Sequence, residues 1–348
     1  MMFRTHNTQC ESLRSIVKNQ RRAFRWVFGF SLLLVGANQL VRLPQVMDAI
    51  SHGRLQLYRE RLKEAHHAKP DANVYLFGNS RVFYGLDPVP LQNELSSRLH
   101  KDVRIWNYAL TASVPEADAF LFEEILSNHD LPPEAVFLEI SDVSLSLIHG
   151  GKEDALRFFY SPAQLPQLLK EGRYDDTLTL LTYELLPAYR YRLYIKERLQ
   201  GIVRTDDHLV RGFYAGGHPA RSDQAKAQRL ELDYLESLLV DFEPAEAQVN
   251  ALRHFLNLAR EKGIRVILFS MPVSPPLLDY CEESGASERF SRFTRSLSAE
   301  YNLPYLSYLT HDNAIRYTWQ DCSHIGSESL ELFAQRLGVD TAPFMSEK

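Results

Sequence analysis

The chain is poor in cysteine: Cys10, Cys281 and Cys322 are the three thiols in 348 residues. Three thiols cannot build a disulfide framework, and no CxxC pair offers a metal site. A chain of this length buries enough core to hold a fold without such staples. Positive charge is not in excess either. A net charge of −5 lacks the basic profile of a nucleic-acid-binding domain, so no nucleic-acid partner is expected. Internal repeats and low-complexity tracts are absent. With 45% hydrophobic and 24% charged residues, the composition excludes a mostly disordered or fibrous chain. The length fits one large domain with an insertion, or two domains.

Long apolar runs are scarce, and the one present has telling flanks. Residues 1–25 carry six basic residues (Arg4, Arg14, Lys18, Arg21, Arg22, Arg25) against Glu11, which is +5 and leaves −10 for the remainder. Trp26 to Val41 then runs 16 residues without a charge, closed by Arg42 and Pro44. A spanning helix takes about 17 to 25 residues, so the run is short. The basic tail in front makes a signal-anchor helix within 26–44 the leading expectation, with residues 1–25 cytoplasmic by the positive-inside rule. That gives a single-pass protein of a bacterial inner membrane with its main domain in the periplasm. A cleaved signal peptide, with Val35-Gly36-Ala37 as the small-residue site, and a buried or amphipathic helix are the alternatives. Residues 45–70 read as a helical stalk stopped by Pro70.

Beyond the stalk, short apolar runs alternate with amphipathic helical patterns. Strands are expected at Val74 to Phe77, at 102–110, at 135–141, from Ile264 to Phe269 and at 302–308. Helical patterns fall at 115–129, before Gly263, and at 328–338. The alternation indicates an α/β protein with a mainly parallel sheet. Such sheets carry their sites beyond the carboxyl ends of the strands. Residues 150–245 break the pattern and read as a helical insertion, with 204–220 as a loop. Its Tyr183, Tyr189, Arg190, Tyr191, Arg192 and Tyr194 would suit a sugar-binding cleft, or simply amphipathic helix surface and core.

Two short motifs carry chemistry. Gly78-Asn79-Ser80-Arg81 follows the first strand and places a hydroxyl on a tight strand-to-helix turn. A serine hydroxyl is a weak nucleophile without a base. Asp321-Cys322-Ser323-His324 precedes the last helix, and a carboxylate three residues before a histidine can hold that ring's Nδ1–H. Taken singly, the two motifs are more simply read as a capping serine and an exposed loop. Arg81 would bind an anionic substrate group or be a helix-surface charge. Cys281 and Cys322 would pair in an oxidising compartment, or act as small buried hydrophobes.

Together, a serine after the first strand and DxxH before the last helix resemble the SGNH/GDSL hydrolase superfamily. That resemblance implies a three-layer α/β/α sandwich and a Ser80–His324–Asp321 triad for esterase or acyl-transfer chemistry, with no cofactor and no metal. It also implies an oxyanion hole from the Ser80 and Ala112 backbone N–H groups. The middle motifs depart from the pattern. After Asn107, Ala112 stands where the family has glycine. After the third strand, Ser141 and Asp142 stand where the family has an asparagine donor. Losing one such donor costs about two to three orders of magnitude in rate. Arg81, Asn107, Ser141 and Asp142 are therefore expected as substrate-binding positions, with Ser141 or the Ser80 amide as the substitute donor.

The departures and the anchor resemble membrane-anchored members that work beside membrane-bound O-acyltransferases. The resemblance covers the chain by layout but only 76–81, 107–112 and 321–326 by motif, with SMPVSP (Ser270 to Pro275) as a weaker sign. It implies acyl transfer, of O-acetyl groups above all, to a cell-surface polysaccharide or other acylated envelope polymer. The inner membrane and a membrane O-acyltransferase are the implied partners. A membrane-anchored carbohydrate esterase or deacetylase, and a non-catalytic module binding a glycan or partner, are the competing readings.

Overall fold

The computed structural model describes residues 29, 36, 38–67, 71–129, 131–146, 151–202, 209–214 and 224–346. The chain divides into two units, Met1–Ser51 with Ser161–Val203, and His52–Tyr160 with Arg204–Lys348. The second unit contains the strands, which are β1 (Val74–Phe77), β2 (Ile105–Asn107), β3 (Ala135–Glu139), β4 (Leu209–Val210), β5 (Phe213–Tyr214), β6 (Arg265–Ser270) and β7 (Tyr305–Ser307). Five of them form one sheet in the order β2-β1-β3-β6-β7. Every pairing in it is parallel, with Val74 beside both Ile105 and Ala135, Ala135 beside Arg265, and Leu268 beside Tyr305. The α/β expectation is met, with a parallel five-stranded sheet.

The central strands are apolar almost throughout because both of their faces are covered. All residues of β1 and β3 are buried. The helix Pro88–Leu99 packs against Leu330–Ser346, and Pro115–Asn128 packs against Glu246–Glu261 and Gly53–His67. An aromatic cluster locks the end of β1. Phe122 stacks on Phe255 at 4.1 Å, and Phe77 meets both edge-on at 5.6 and 5.2 Å. The chain goes from β1 to β2 on one side and returns past β1 to β3 on the other. The carboxyl ends of β1 and β3 therefore flank a topological switch point, where open parallel sheets place their ligands. Ser80 follows one of those ends and Ser141 the other.

Several expectations change. The helical stretch 45–70 breaks at Ser51–His52, and its second part is no free stalk. In Gly53–His67, Leu57, Tyr58 and Ala65 enter the core of the sheet unit. Arg61 is fully buried there, donating to the Gly212 carbonyl and the Glu64 carboxylate. The stretch read as a loop at 204–220 contains the antiparallel pair β4–β5. The Arg211 carbonyl between them accepts the Asn107 N–H at 2.9 Å, which engages the edge strand β2. The insertion at 150–245 is split. Residues 161–203 belong to the first unit, whereas Ala155, Phe159, Leu235, Leu238 and Leu239 pack into the core of the second.

Cys281 and Cys322 are free and buried, so the pairing expected as one alternative is not formed. Burial pushes both thiols up, Cys322 to about 11, which makes them inert small hydrophobes. The apolar run 26–41 lies mostly outside the described residues. Among the described residues, no helix is long and apolar enough to cross a membrane.

Candidate active site

Ser80 is the first residue of the helix Ser80–Gly85, directly beyond β1. Its turn is built by two neighbours. Gly78 has φ +149°, and a Cβ there would come within 2.8 Å of both Glu139 Cβ and Val82 Cγ2. Only glycine fits so close to β3. Asn79 is the helix N-cap, its Oδ1 accepting the Arg81 N–H at 2.8 Å while its Nδ2 donates to Ser141 Oγ at 2.9 Å. One amide thus ties the β1 turn to the β3 turn across the switch point.

His324 comes to the same place from the far end of the sequence. The segment 318–326 is a tight return, with Trp319 bridging Ile325 and the Gly326 N–H donating to the Thr318 carbonyl at 2.7 Å. Asp321 sits at its tip and is buried. Its Oδ1 accepts the backbone N–H of Ser323 at 2.8 Å and of His324 at 2.9 Å. Both carboxylate oxygens lie 2.9 Å from His324 Nδ1. That contact places the ring proton on Nδ1 and leaves Nε2 as an acceptor, which lies 2.9 Å from Ser80 Oγ. Ser80, His324 and Asp321 therefore stand in hydrogen-bonded series, although 244 residues separate the first two. Tyr84 meets the imidazole edge-on at 5.8 Å and bounds its motion.

The backbone N–H groups of Ser80 and Ala112 make no backbone or side-chain hydrogen bond among the described residues. Ala112 holds φ +57°, the left-handed conformation that favours glycine, so the methyl group is accepted at the cost of strain. The other expected substrate-binding positions are committed inside the protein. Asn107 is fully buried, its amide donating to the Val82 carbonyl at 3.3 Å and its Oδ1 accepting the Ala109 N–H at 2.9 Å. The Ser141 hydroxyl is also fully buried. It accepts from Asn79 and from the Ser144 N–H and donates to Ser144 Oγ at 3.0 Å, so it is no substitute oxyanion donor. Arg81 is neither a surface charge nor open to a ligand. It is 3% exposed, with its guanidinium 3.8 Å from Asp142. Asp142 lines a cavity of about 300 Å³ with Cys281, Tyr305 and Ser307.

Three residues near the site carry no motif and escape a reading from sequence. Glu231, on the helix Gln224–Leu239, accepts from Ser323 Oγ at 3.3 Å. Glu231, Asp321 and His324 each offer an atom within 4.8 Å of the others, the grouping among the described residues spaced to take a cation. A cation there would compete for the imidazole nitrogens that Asp321 and Ser80 engage. Asp118 is buried with Ser113 donating to it at 2.7 Å, and desolvation holds its carboxyl well above the usual range. Glu139 closes β3 behind Gly78, its one signal being a charge inside a wholly buried strand.

Desolvation pushes Glu139 up to about 7, against the opposing pull of Arg81 and the Asn79 N–H. The unfolded chain ionises it near 4.5, so the folded state holds a proton that the unfolded state gives up between those values. Its contribution to stability is present below about pH 4.5 and is lost as pH rises through about 7. Glu139→Gln has no such loss. The stability difference between wild type and variant should move by roughly 2–3 kcal/mol in favour of the variant from about pH 4 to about pH 8. Urea midpoints across that range check this, and a difference independent of pH would refute the assignment.

In the first unit, the residues singled out for a sugar cleft pair with one another. Arg190 lies 5.9 Å from the Tyr183 ring and 5.6 Å from Tyr191, and Arg192 sits 4.0 Å over Tyr189. Tyr183 and Tyr194 are buried. Tyr183, Arg190 and Tyr191 line a cavity of about 270 Å³ with Arg42 and Glu184.

No curated protein matches the sequence. Residues 32–331 match the family described as "Protein of unknown function (DUF1574)", and the chain belongs to that family.

Proposed function

We propose that this chain is a serine acyl-transfer enzyme of the SGNH/GDSL type, moving an acyl group, O-acetyl above all, onto a cell-envelope or exported polysaccharide. The contact that carries the reading is Ser80 Oγ at 2.9 Å from His324 Nε2, with Nδ1 held by Asp321. A parallel sheet with one packed group formed by Pro88–Leu99 and Leu330–Ser346, and another by Pro115–Asn128, Glu246–Glu261 and Gly53–His67, supports the three-layer reading. The +5 tail and the uncharged run after it support an inner-membrane anchor with the sheet unit in the periplasm, beside a membrane O-acyltransferase.

In the first half-reaction His324 Nε2 takes the Ser80 proton as Oγ attacks the acyl carbonyl carbon. The negative oxygen of the tetrahedral intermediate accepts the Ser80 and Ala112 N–H groups. Collapse breaks the bond to the donor's leaving group, which takes the proton from His324, and leaves an ester on Ser80. In the second half the acceptor hydroxyl gives its proton to His324 and attacks that ester. Ser80 then leaves and recovers the proton. Asp321 orients the ring and stabilises the imidazolium in both halves.

The test is covalent labelling of the full chain by a fluorophosphonate. The wild type should label and Ser80→Ala should not, and a strain carrying Ser80→Ala should lose surface-polymer acylation at an unchanged protein level. Fast turnover of aryl acetates beside normally acylated polymers in the mutant strain would make the protein an esterase. No label on the wild type would leave a binding module.

A further inference from the structure

The first unit is apolar on a side where it has no need to be. In the helix Tyr174–Leu185, Asp176, Thr177, Leu180 and Tyr183 face inward and are buried. Tyr174, Leu178, Leu181 and Leu185 are 69%, 65%, 40% and 68% exposed. At 100° per residue these four fall within about 60° of one another, on the side opposite the buried face. A surface helix of a water-soluble protein carries polar residues on that side. An exposed apolar stripe on a helix whose other face is already buried calls for a second apolar neighbour.

The position of this helix in the chain names the other neighbour. Its carboxyl end is bonded to the residues that close the uncharged run Trp26 to Val41. Asn38 Nδ2 donates to the Leu185 carbonyl at 3.0 Å, and Asn38 Oδ1 accepts the Ala188 N–H at 2.8 Å. Arg42 donates to the Glu184 carbonyl at 2.6 Å and pairs with the Glu184 carboxylate at 2.8 Å. Wherever the apolar run ends, Leu185 is held beside it.

We propose that the helix Tyr174–Leu185 lies in the lipid interface, its stripe of Tyr174, Leu178, Leu181 and Leu185 dipping below the headgroups. This rests on the reading of 26–41 as a bilayer anchor. A membrane helix emerging at Asn38–Arg42 places Leu185 at headgroup level, where an aromatic residue and leucines on one face of a surface helix are at home. The anchor then fixes height while the stripe fixes tilt, so the unit is held at two points and cannot swing freely about the exit of the anchor.

The test is depth-dependent quenching on the full chain in vesicles of phosphatidylethanolamine and phosphatidylglycerol. Single cysteines at Leu178→Cys, Leu181→Cys, Asp175→Cys, Thr182→Cys and Val35→Cys, in a Cys10→Ser background, carry an environment-sensitive dye. The buried Cys281 and Cys322 stay unlabelled. Doxyl lipids should remove most of the emission at 178 and 181, more from positions near the headgroup than from chain ends, and clearly less at 175 and 182. Position 35 reads the anchor separately. Quenching at 35 with none at 178 and 181 overturns the interfacial helix and leaves the anchor. Quenching at 178 and 181 with none at 35 supports the seat in lipid and removes the anchor. Equal quenching at all four helix positions denies the stripe its orientation and overturns the proposal.

Discussion

Replacing His324 with alanine should lower the rate at which a fluorophosphonate labels Ser80 by about four to six orders of magnitude. Among the described residues, the acceptor in position for the Ser80 Oγ proton is His324 Nε2 at 2.9 Å. Without it the hydroxyl attacks at its ordinary, negligible rate. Asp321→Asn should cost about four orders of magnitude by a different route. With Oδ1 kept on the two backbone N–H groups, the amide nitrogen takes the Oδ2 place 2.9 Å from Nδ1 and donates to it, which favours the tautomer with the proton on Nε2. The N–H groups of Ser323 and His324 can still be met by the remaining oxygen. Fold stability should therefore move far less than the rate, and a circular-dichroism melt separates the two. Because the residues act as a unit, adding Asp321→Asn to His324→Ala should cost little more. Independent, additive losses would mean that these side chains merely share a neighbourhood, and the acyl-enzyme reading would fall.

The sequence carried the strands and the motif residues but not the scaffolding between them. Val74 to Phe77 reads as a strand because four apolar residues end at a turn glycine, and β1 has those bounds. DxxH is legible because both groups lie within one turn of chain and local geometry brings them together. Ser80 meeting His324 across 244 residues was inferred only from layout, since no local pattern encodes a sheet's strand order. Arg81 reads as helix surface or as an anion ligand because a cation after a serine suits both, and only the fold reveals Asp142 beside it. The same holds for Gly53–His67. Its mixture of charges reads as solvated, yet Arg61 is fully buried because Gly212 and Glu64 accept its hydrogen bonds. Burial of a polar residue depends on partners distant in sequence, and periodicity contains no information on those.

The turn before Ser80 yields a large expected loss of stability from a single methyl group. Gly78→Ala meets two obstacles at once. Its φ of +149° belongs to a region that L-residues rarely enter, costing about 1–3 kcal/mol. The new Cβ would also stand 2.8 Å from Glu139 Cβ and from Val82 Cγ2 and 3.1 Å from Glu139 Oε2. Neither carbon is the free end of a flexible chain: Glu139 Cβ is fixed by strand β3 and Val82 by the helix that Ser80 begins. Overpacking of this kind adds about 1–3 kcal/mol. A total loss of roughly 3–5 kcal/mol is expected in urea unfolding. Gly263→Ala in the same unit is the comparison, because its φ is +67° and nothing lies within 4 Å of a new Cβ. It should cost only about 1 kcal/mol. The difference between the two variants reports the clash with Glu139 and Val82 together with the less accessible φ at Gly78. Where Gly78→Ala stays folded, the turn must give way, and Ser80 Oγ shifts from His324 Nε2 as it does. A displacement of about 1 Å costs about two orders of magnitude in rate, so fluorophosphonate labelling should slow while Gly263→Ala labels normally. Equal stability losses for the two variants, with labelling unchanged in both, would mean that the turn relaxes freely and that close packing of β1 on β3 does not set the position of Ser80.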